Sequence, residues 1–295
     1  MDSVVKEEVC FGFEKFEDNS SLFSSGIDPD DNLFRSMYED TSIYVSPKDL
    51  NDLTNQLPSE RFSFLHVNCR SMKNKLDDLT ILLRQSRARI LAVTETWLDE
   101  NSSKGIEIPG FHFVFQNRDM KRGGGVGFFI DERIKYSTLD ASLWNTSVTS
   151  FELLLISMEC QKTGNFLVGV IYRPPDTNLH SFNIEFRNLL NCLVKRNMNI
   201  LLMGDFNIDF LSREQSSSMA DFFNLLASCS LLPAFTAPTR ISSTTASAID
   251  NMFTNYPLQH SIARIVLDDI SDHLPIFLST DLAPMLKEIR FHLEG

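Results

Sequence analysis

A series of short apolar runs, spread over residues 61–281, constrains the fold more than any other feature of this sequence. Each run is four to nine residues long and rich in β-branched and aromatic residues, which is typical of β-strands. The predicted strands are 62–68, 90–93, 111–115, 125–130, 151–159, 166–172, 200–203, 248–255 and 275–279.

Three stretches between these runs carry apolar residues at helical spacing instead. The first has Leu76, Leu79 and Leu83, and the other two lie within residues 182–193 and 219–226. Many short strands with interspersed helices predict two packed mixed β-sheets flanked by helices, which is a four-layer α/β sandwich.

Residues 1–60 differ from this domain in composition. They hold 14 acidic and 4 basic residues, a net charge of −10, and they show little periodicity. We therefore predict an acidic, largely disordered leader at 1–60, in which 48–56 has room for a short helix. The domain is predicted at 61–281, and a tail at 282–295.

Outside the leader, 25 acidic and 23 basic residues leave a net charge of only −2. The domain therefore lacks the strongly basic face of a tight DNA binder. Affinity for phosphate would have to come from local bases, backbone N–H groups and a metal ion.

Five cysteines are scattered without a CxxC pair, which fits reduced thiols better than a disulfide framework or a zinc site. No apolar run reaches the length of about 18 residues that a membrane span needs. The first ten residues lack the apolar segment of a secretory signal. The sequence thus predicts a nuclear or cytoplasmic protein that is not secreted.

Polar side chains stand where several of these strands end, and a strand end can hold a side chain rigidly at a solvent-filled rim. These residues are Asn68, Glu95, Tyr172, Asp205, Asn207, Asp250, Asp272 and His273. Taken one at a time, each is more typical of a turn, a helix cap or a satisfied core group. As a set, they supply what hydrolysis of a phosphodiester requires.

Three of these carboxylates, Glu95, Asp205 and Asp272, suit a hard cation or a general base. Mg²⁺ takes oxygen ligands and keeps positions for water and phosphate. A carboxylate or histidine must orient or deprotonate the attacking water, and neutral donors such as asparagine and tyrosine can bind the phosphoryl oxygens.

The order of six motifs makes the pattern specific. HVNCRS, AVTETW, VIYRPP, MGDFN, AIDNMF and SDHLPI follow one another over about 220 residues. In this order they resemble the endonuclease/exonuclease/phosphatase superfamily, whose fold is DNase I-like. The segments TETWL, RGGGV, YRPP and SDHLP are most similar to those of the apurinic-like endonucleases of non-LTR (LINE-type) retrotransposons.

The resemblance implies roles for the strand-end residues. Glu95 would bind Mg²⁺, with Mn²⁺ as an alternative, and Asn68 and Asp272 would support it. The implied catalytic residues are Tyr172, Asp205, Asn207, Asp250 and His273. Cleavage of DNA would leave a 3′-hydroxyl and a 5′-phosphate.

Within the catalytic set, Asp205 would activate the water, and Asn207 would orient it or bind phosphate. Tyr172 would bind the scissile phosphate. His273 would contact the phosphate or act as a base, held by Asp250.

Two departures from the DNA-repair members favour the retrotransposon branch. Arg70 stands where repair members often have an aspartate, and Asn251 follows Asp250 where they tend to have tyrosine. We predict that Arg122, which lies in a basic glycine-rich turn, contacts DNA. We predict the same of Thr239 and Arg240, because their segment is similar to one that lies near DNA in the family.

Two alternatives remain open. One is a phosphomonoesterase of the same superfamily, and the other is an inert retrotransposon-derived remnant that acts only by binding. A retrotransposon endonuclease of this kind normally has a reverse transcriptase domain in cis, and none is present in these 295 residues. The sequence is therefore expected to be a fragment, a truncated copy or an adopted host protein.

Overall fold

The computed structural model of the protein describes residues 43–118, 123–139, 149–161, 163–194, 198–212 and 216–287. Most of the predicted leader, Arg122 and residues 288–295 of the predicted tail lie outside the described residues.

The last three of the four described α-helices lie where helical spacing predicts them, and the first lies where the predicted leader has room for a short helix. The four are α1 (Pro47–Gln56), α2 (Leu76–Ser86), α3 (Leu179–Val194) and α4 (Ser217–Ser228). A short 3-10 helix spans Ser102–Gly105. Ser46 and Ser216 begin α1 and α4, because each hydroxyl accepts the backbone N–H three residues ahead.

The strands form two main sheets and a small hairpin. The first sheet has seven strands, in the order β1 (Tyr44–Val45), β14 (Ile262–Val266), β15 (Ile276–Thr280), β2 (Phe62–Asn68), β3 (Ile90–Thr94), β5 (Val126–Asp131) and β4 (Phe111–Gln116). The second has six, in the order β10 (Leu232–Pro233), β13 (Asp250–Thr254), β9 (Asn199–Asp205), β8 (Gly164–Tyr172), β7 (Glu152–Cys160) and β6 (Tyr136–Leu139). The hairpin pairs β11 (Arg240–Ile241) with β12 (Ala246–Ser247).

Three apolar clusters show that these elements form four layers. One cluster joins β2, β3, β5 and β15 of the first sheet to β7, β8, β9 and β13 of the second. Another packs α3 and α4 on the outer face of the second sheet, and the third packs α1 and α2 on the outer face of the first. The predicted four-layer α/β sandwich is confirmed.

Alternation along each strand separates the layers. In β2, Phe62 and Phe64 belong to the cluster between the sheets, whereas Leu65 and Val67 face the helices. The spacing of two places His66 and Asn68 on the inner face as well. The side chains on the inner face of β2 therefore change from apolar to polar toward one end of the sandwich.

The structured domain begins earlier than the predicted boundary at Arg61. Strand β1 pairs in parallel with β14, and the Tyr44 hydroxyl donates to the carbonyl of Pro238 at 2.9 Å. Leu50 of α1 is fully buried in the cluster on the outer face of the first sheet. Residues 282–286 also join the domain, through bridges from Pro284 and Leu286.

Strands β6 and β14, like the two-residue strands β1, β10, β11 and β12, are absent from the sequence prediction. In β14, Arg264 and Ala263 dilute the apolar pattern, so that IARIV lacks a strand signature. Its pairing with both β1 and β15 fixes it in the sheet all the same. Within the described residues, no helix is long and apolar enough to cross a membrane.

Gly204 is required by a close approach of two strands. Its φ is 151°, and a Cβ at this position would lie 1.9 Å from the carbonyl oxygen of Ile171 on β8. The absence of a side chain here lets β8 and β9 stay paired up to Asp205.

Removing residues 42–60 should destabilise the domain, because Leu50 alone contributes about 1.5–3 kcal/mol by burial. We expect residues 61–295 to unfold at a lower temperature than residues 42–295 in calorimetry. Equal melting temperatures would contradict the packing of β1 and α1.

Gly204→Ala should lower the free energy of unfolding by about 2 kcal/mol or more, because its methyl group would overlap the Ile171 carbonyl. Gly105→Ala is the matched control, because a Cβ there has no atom within 4 Å, and it should change stability by less than about 1 kcal/mol. Urea unfolding of both variants measures the difference, and similar midpoints would refute it.

Candidate active site

The inner rows of both sheets become polar at the same end of the sandwich. In the first sheet, Asn68 of β2 pairs in register with Thr94 of β3. In the second, Tyr172, Asp205 and Asp250 lie in register across β8, β9 and β13. The backbone registers thus place these side chains at a common level, facing the space between the sheets.

Asp205 is the most connected residue of the site, and it is fully buried. Its Oδ2 accepts from Asn68 Nδ2 at 2.8 Å and from Asn207 Nδ2 at 3.0 Å. Its Oδ1 accepts the backbone N–H of Asn207 at 2.9 Å. Because Asn68 belongs to the other sheet, the hydrogen bond from Asn68 crosses the sandwich.

Burial raises the pKa of the Asp205 carboxyl to about 8, and the negative charge of Asp250 adds to the shift. The nearby His273 and the hydrogen bonds from Asn207 and Asn68 oppose it. A carboxylate with a raised pKa is a stronger base than an ordinary aspartate, so Asp205 is suited to accept a proton once it is ionised.

Asp250 and His273 form a buried pair. His273 Nδ1 lies 2.9 Å from Asp250 Oδ2, and both side chains are at most 3% exposed. Burial lowers the pKa of His273, but the charge and hydrogen bond of Asp250 and the charges of Asp205 and Asp272 outweigh it and raise the pKa to about 9. His273 is therefore suited to carry a proton at neutral pH.

Glu95 directly follows β3, with a φ of 50°. Its Oε1 accepts from Asn68 Nδ2 at 3.0 Å, and its Oε2 accepts from the indole N–H of Trp97 at 3.1 Å. Because a carboxylate has about four acceptor positions, Glu95 keeps acceptor capacity for a cation or a water molecule.

Asn207 is held by the chain that follows β8. Its Nδ2 also donates to the carbonyl of Arg173 at 2.8 Å, and Arg173 Nη1 donates to the carbonyl of Asn207 at 3.0 Å. Arg173 in turn donates to the carbonyl of Thr177 and lies 5.7 Å from the ring centre of Phe182. Arg173 thus fixes the loop that carries Asn207.

Tyr172 lies beside a charged pair that the strand-end prediction missed. Glu152 of β7 is in register with Tyr172, and it accepts from Arg118 Nε and from the Gly125 N–H, both at 2.5 Å. Arg118 lies 5.7 Å from the Tyr172 ring centre. The only signal of Glu152 in the sequence is an acid that opens an apolar strand.

The Tyr172 hydroxyl keeps its proton at neutral pH. Burial and the nearby carboxylates of Glu95 and Asp205 raise the pKa of Tyr172 well above its usual value. Tyr172 can therefore act as a neutral hydrogen-bond donor.

Asp272, predicted as a metal ligand, is engaged by cations instead. Its Oδ2 accepts from Arg70 Nη1 at 2.8 Å and from Arg240 Nη2 at 2.7 Å. These ion pairs lower the pKa of Asp272 against the opposing effect of its partial burial. Arg70, which stands where repair members often have an aspartate, is thus paired with Asp272.

Thr239, predicted to contact DNA, is fully buried, so this prediction is corrected. Its hydroxyl donates to Asp250 Oδ2 at 2.8 Å and accepts the backbone N–H of Asp250 at 3.0 Å. Thr239 therefore supports the Asp250–His273 pair. Arg240 next to it remains partly exposed, and Arg122 lies outside the described residues.

Glu95 is the residue of the site that suits a divalent cation, because its carboxylate keeps acceptor positions that no described hydrogen bond uses. The predicted ligand Asn68 directs its amide nitrogen, which cannot ligate a cation, toward Glu95 and Asp205, and its Oδ1 accepts the N–H of Arg70. Asn68 therefore connects the two carboxylates. Potential ligand atoms of Asp205, Asp250 and His273 also lie within 4.8 Å of one another. Asp250 and His273, however, are hydrogen-bonded to each other.

A buried aspartate, an Asp–His pair and a half-buried glutamate thus lie together at one end of the double-sheet sandwich. The chain belongs to the Endonuclease/Exonuclease/phosphatase family, whose model matches residues 65–273. Members of this family hydrolyse phosphodiester or phosphate bonds.

Solved structures with the same fold include an endonuclease domain and a second catalytic domain. The endonuclease domain of TRAS1, a telomere-specific non-LTR retrotransposon, has a TM-score of 0.58 and 16% identity over 74% of this chain and 97% of its own. The APE2 catalytic domain of Xenopus laevis has a TM-score of 0.61 and 13% identity over 77% of this chain and 94% of its own.

A third structure is the 3′ phosphatase NExo from Neisseria, bound to a product DNA hairpin. It has a TM-score of 0.56 and 16% identity over 74% of this chain and 98% of its own. These likenesses confirm the DNase I-like fold. No curated protein matched the sequence.

Thr239→Val should lower the free energy of unfolding by about 1–3 kcal/mol, because the buried Asp250 carboxylate would lose a donor. The same change at the exposed Thr236 is the matched control and should be within about 0.5 kcal/mol of neutral. Denaturant titration compares the two, and equal stabilities would show that the Thr239 hydroxyl contributes nothing.

Proposed function

We propose that this protein is a Mg²⁺-dependent DNA endonuclease that nicks one strand and leaves a 3′-hydroxyl and a 5′-phosphate. One observation carries the proposal. The Asn68 amide holds Glu95 and Asp205 together across the two sheets, with the Asp250–His273 pair beside them. A cation site and a general base are thereby combined in one cluster.

Asp205 is the proposed base. It would orient the attacking water and accept its proton, since its raised pKa, about 8, favours proton uptake. The two hydrogen bonds from Asn207 would keep the carboxylate fixed during this step. Preorganisation of this kind avoids rearrangement at the moment of reaction.

Tyr172 and His273 are the proposed phosphate ligands. A neutral phenol donates a hydrogen bond to a phosphoryl oxygen, and a protonated histidine adds a positive charge. Asp250 accepts from Nδ1 of His273, which leaves Nε2 as the nitrogen for the phosphate.

Glu95 is the proposed metal ligand, supported by the donors Asn68 and Trp97. A bound Mg²⁺ would offset the charge that develops on the phosphoryl and leaving oxygens. Few protein ligands suffice, because Mg²⁺ retains several of its water molecules.

DNA is the favoured substrate for two reasons. The fold is similar to that of a retrotransposon endonuclease and of a phosphatase bound to a DNA hairpin. In addition, Arg70 and Arg240 are partly exposed at the rim, and their two positive charges exceed the single negative charge of Asp272 that lies between them. A guanidinium at such a rim is well suited to a backbone phosphate.

The biological setting proposed is non-LTR retrotransposition, in which the 3′-hydroxyl would prime a reverse transcriptase. Such a partner would normally be supplied in cis. The proposal rests on the motif wording and on the fold shared with the TRAS1 endonuclease domain.

Phosphomonoester hydrolysis is the second candidate, because the similar Neisseria protein is a 3′ phosphatase. The proposed water activation and phosphate binding would be the same for both bonds. The two functions therefore differ in the substrate that reaches the site, and the assay must include both.

A plasmid nicking assay on the full chain tests the proposal, because residues on both sides of 61–281 pack onto the domain. We expect nicking with Mg²⁺ and its loss in EDTA. Glu95→Ala, Asp205→Ala and His273→Ala should each lower the rate by at least about 100-fold, as expected for loss of a general base or a charged ligand.

Asp221→Ala and His260→Ala are matched controls, since both residues are exposed and lie outside the site. They should nick at the wild-type rate. Thermal melts of all five variants must show folded protein. Phosphate release from a 3′-phosphorylated oligonucleotide without nicking would establish the phosphatase instead, and inactivity of a folded, metal-loaded protein in both assays would refute catalysis.

A further inference from the structure

Asp250 lies between two histidines, and only one of them is part of the proposed reaction. Its Oδ2 accepts from His273 and Thr239, whereas its Oδ1 has no hydrogen-bond partner among the described residues. That free oxygen lies 3.9 Å from Nδ1 of His66, which likewise lacks a partner among the described residues. His66 is fully buried on the inner face of β2.

A buried acceptor and a buried donor that face each other unpaired are rare in folded proteins, because each loses its bonds to water. The gap of 3.9 Å is about 1 Å longer than a normal N–H···O hydrogen bond. A small rotation of the imidazole or of the carboxylate closes it.

The hydroxyl of Thr94 can stabilise the tautomer of His66 that carries its proton on Nδ1. That hydroxyl lies 3.2 Å from His66 Nε2 and can donate to that nitrogen. The proton of a neutral imidazole then stands on Nδ1, directed at Asp250. Burial lowers the pKa of His66 to about 4, against the effect of Asp250 and with that of His273, so the ring is neutral.

We infer that His66 is a positioning residue, which donates from Nδ1 to the free oxygen of Asp250 and thereby directs the other oxygen at His273. This inference rests on the proposed function of His273. With both oxygens engaged, by His66 on one side and by His273 and Thr239 on the other, the carboxylate has a single orientation. The imidazole of His273 is then held with Nε2 toward the phosphate.

The alternative is a core histidine that only fills space. The two readings differ in which of two amide substitutions is tolerated. The nitrogen of asparagine falls near the position of Nδ1, whereas that of glutamine falls near Nε2. His66→Asn therefore keeps a donor toward Asp250, and His66→Gln keeps one toward Thr94.

Single-turnover and steady-state nicking by the full-length variants tests the inference. His66→Gln and the volume-filling His66→Phe should each lower kcat by about tenfold or more, the effect of roughly one buried hydrogen bond, with KM within about twofold of wild type. His66→Asn should retain more activity than either. A kcat of His66→Gln equal to that of wild type, or an order of activities that follows thermal stability, would overturn the inference.

A second variant covers the case in which His66→Asn does not fold. Thr94→Val preserves volume but removes the hydroxyl that can stabilise this tautomer of His66, and it should lower kcat while leaving KM unchanged. An unaltered kcat in a folded Thr94→Val protein would count against the inference.

Proton NMR separates this inference from the proposed function. The His273 Nδ1 proton, shared with a buried carboxylate, should resonate far downfield in the wild type. We expect it to shift or broaden in His66→Gln and to be retained in His66→Asn, whether or not the protein nicks DNA. An identical resonance in all three proteins would refute the positioning role, whereas absence of nicking by the wild-type protein would refute only the proposed endonuclease.

Discussion

The two hydrogen bonds that Asn68 donates, to Asp205 and to Glu95, join the halves of the site across the sandwich. Neither sheet holds the proposed metal ligand and the proposed base on its own strands. The side chain that connects them stands at the end of an inner row whose earlier members form the core. The separation of the two carboxylates is therefore fixed by the packing of Phe62 and Phe64, which precede Asn68 on the same face of β2.

Much of the architecture could be predicted because the pattern is local. Apolar runs at spacings of two and of three to four residues give the elements of the core, and the polar residue that ends each run marks the rim. Asp205 could be placed at the rim because it follows a buried apolar run, whereas the support of His273 by Asp250 was implied by the family resemblance. The motif order then singled out the family, which the match over residues 65–273 confirms.

The remaining features depend on contacts between distant parts of the chain. Nothing near Thr239 in the sequence shows that its hydroxyl is buried on a carboxylate eleven residues away. Asp272 is equally suited to a cation or to an arginine, and only the fold brings Arg70 within 2.8 Å of it. His66 likewise resembles an ordinary strand residue until Asp250, on the other sheet, stands opposite.

Thr239 and Arg240 also couple two parts of the protein mechanically. Thr239 donates a hydrogen bond to Asp250. Arg240 is the first residue of the β11–β12 hairpin and forms a backbone bridge to His273. A change of backbone at the base of this hairpin would therefore disturb the Asp–His pair. The turn at residues 242–245 is closed by bonds between Ser242 and Thr245. Substitutions at this tip can thus accumulate without disturbing the Asp250–His273 pair, whereas the stem of the hairpin evolves under the same constraint as that pair.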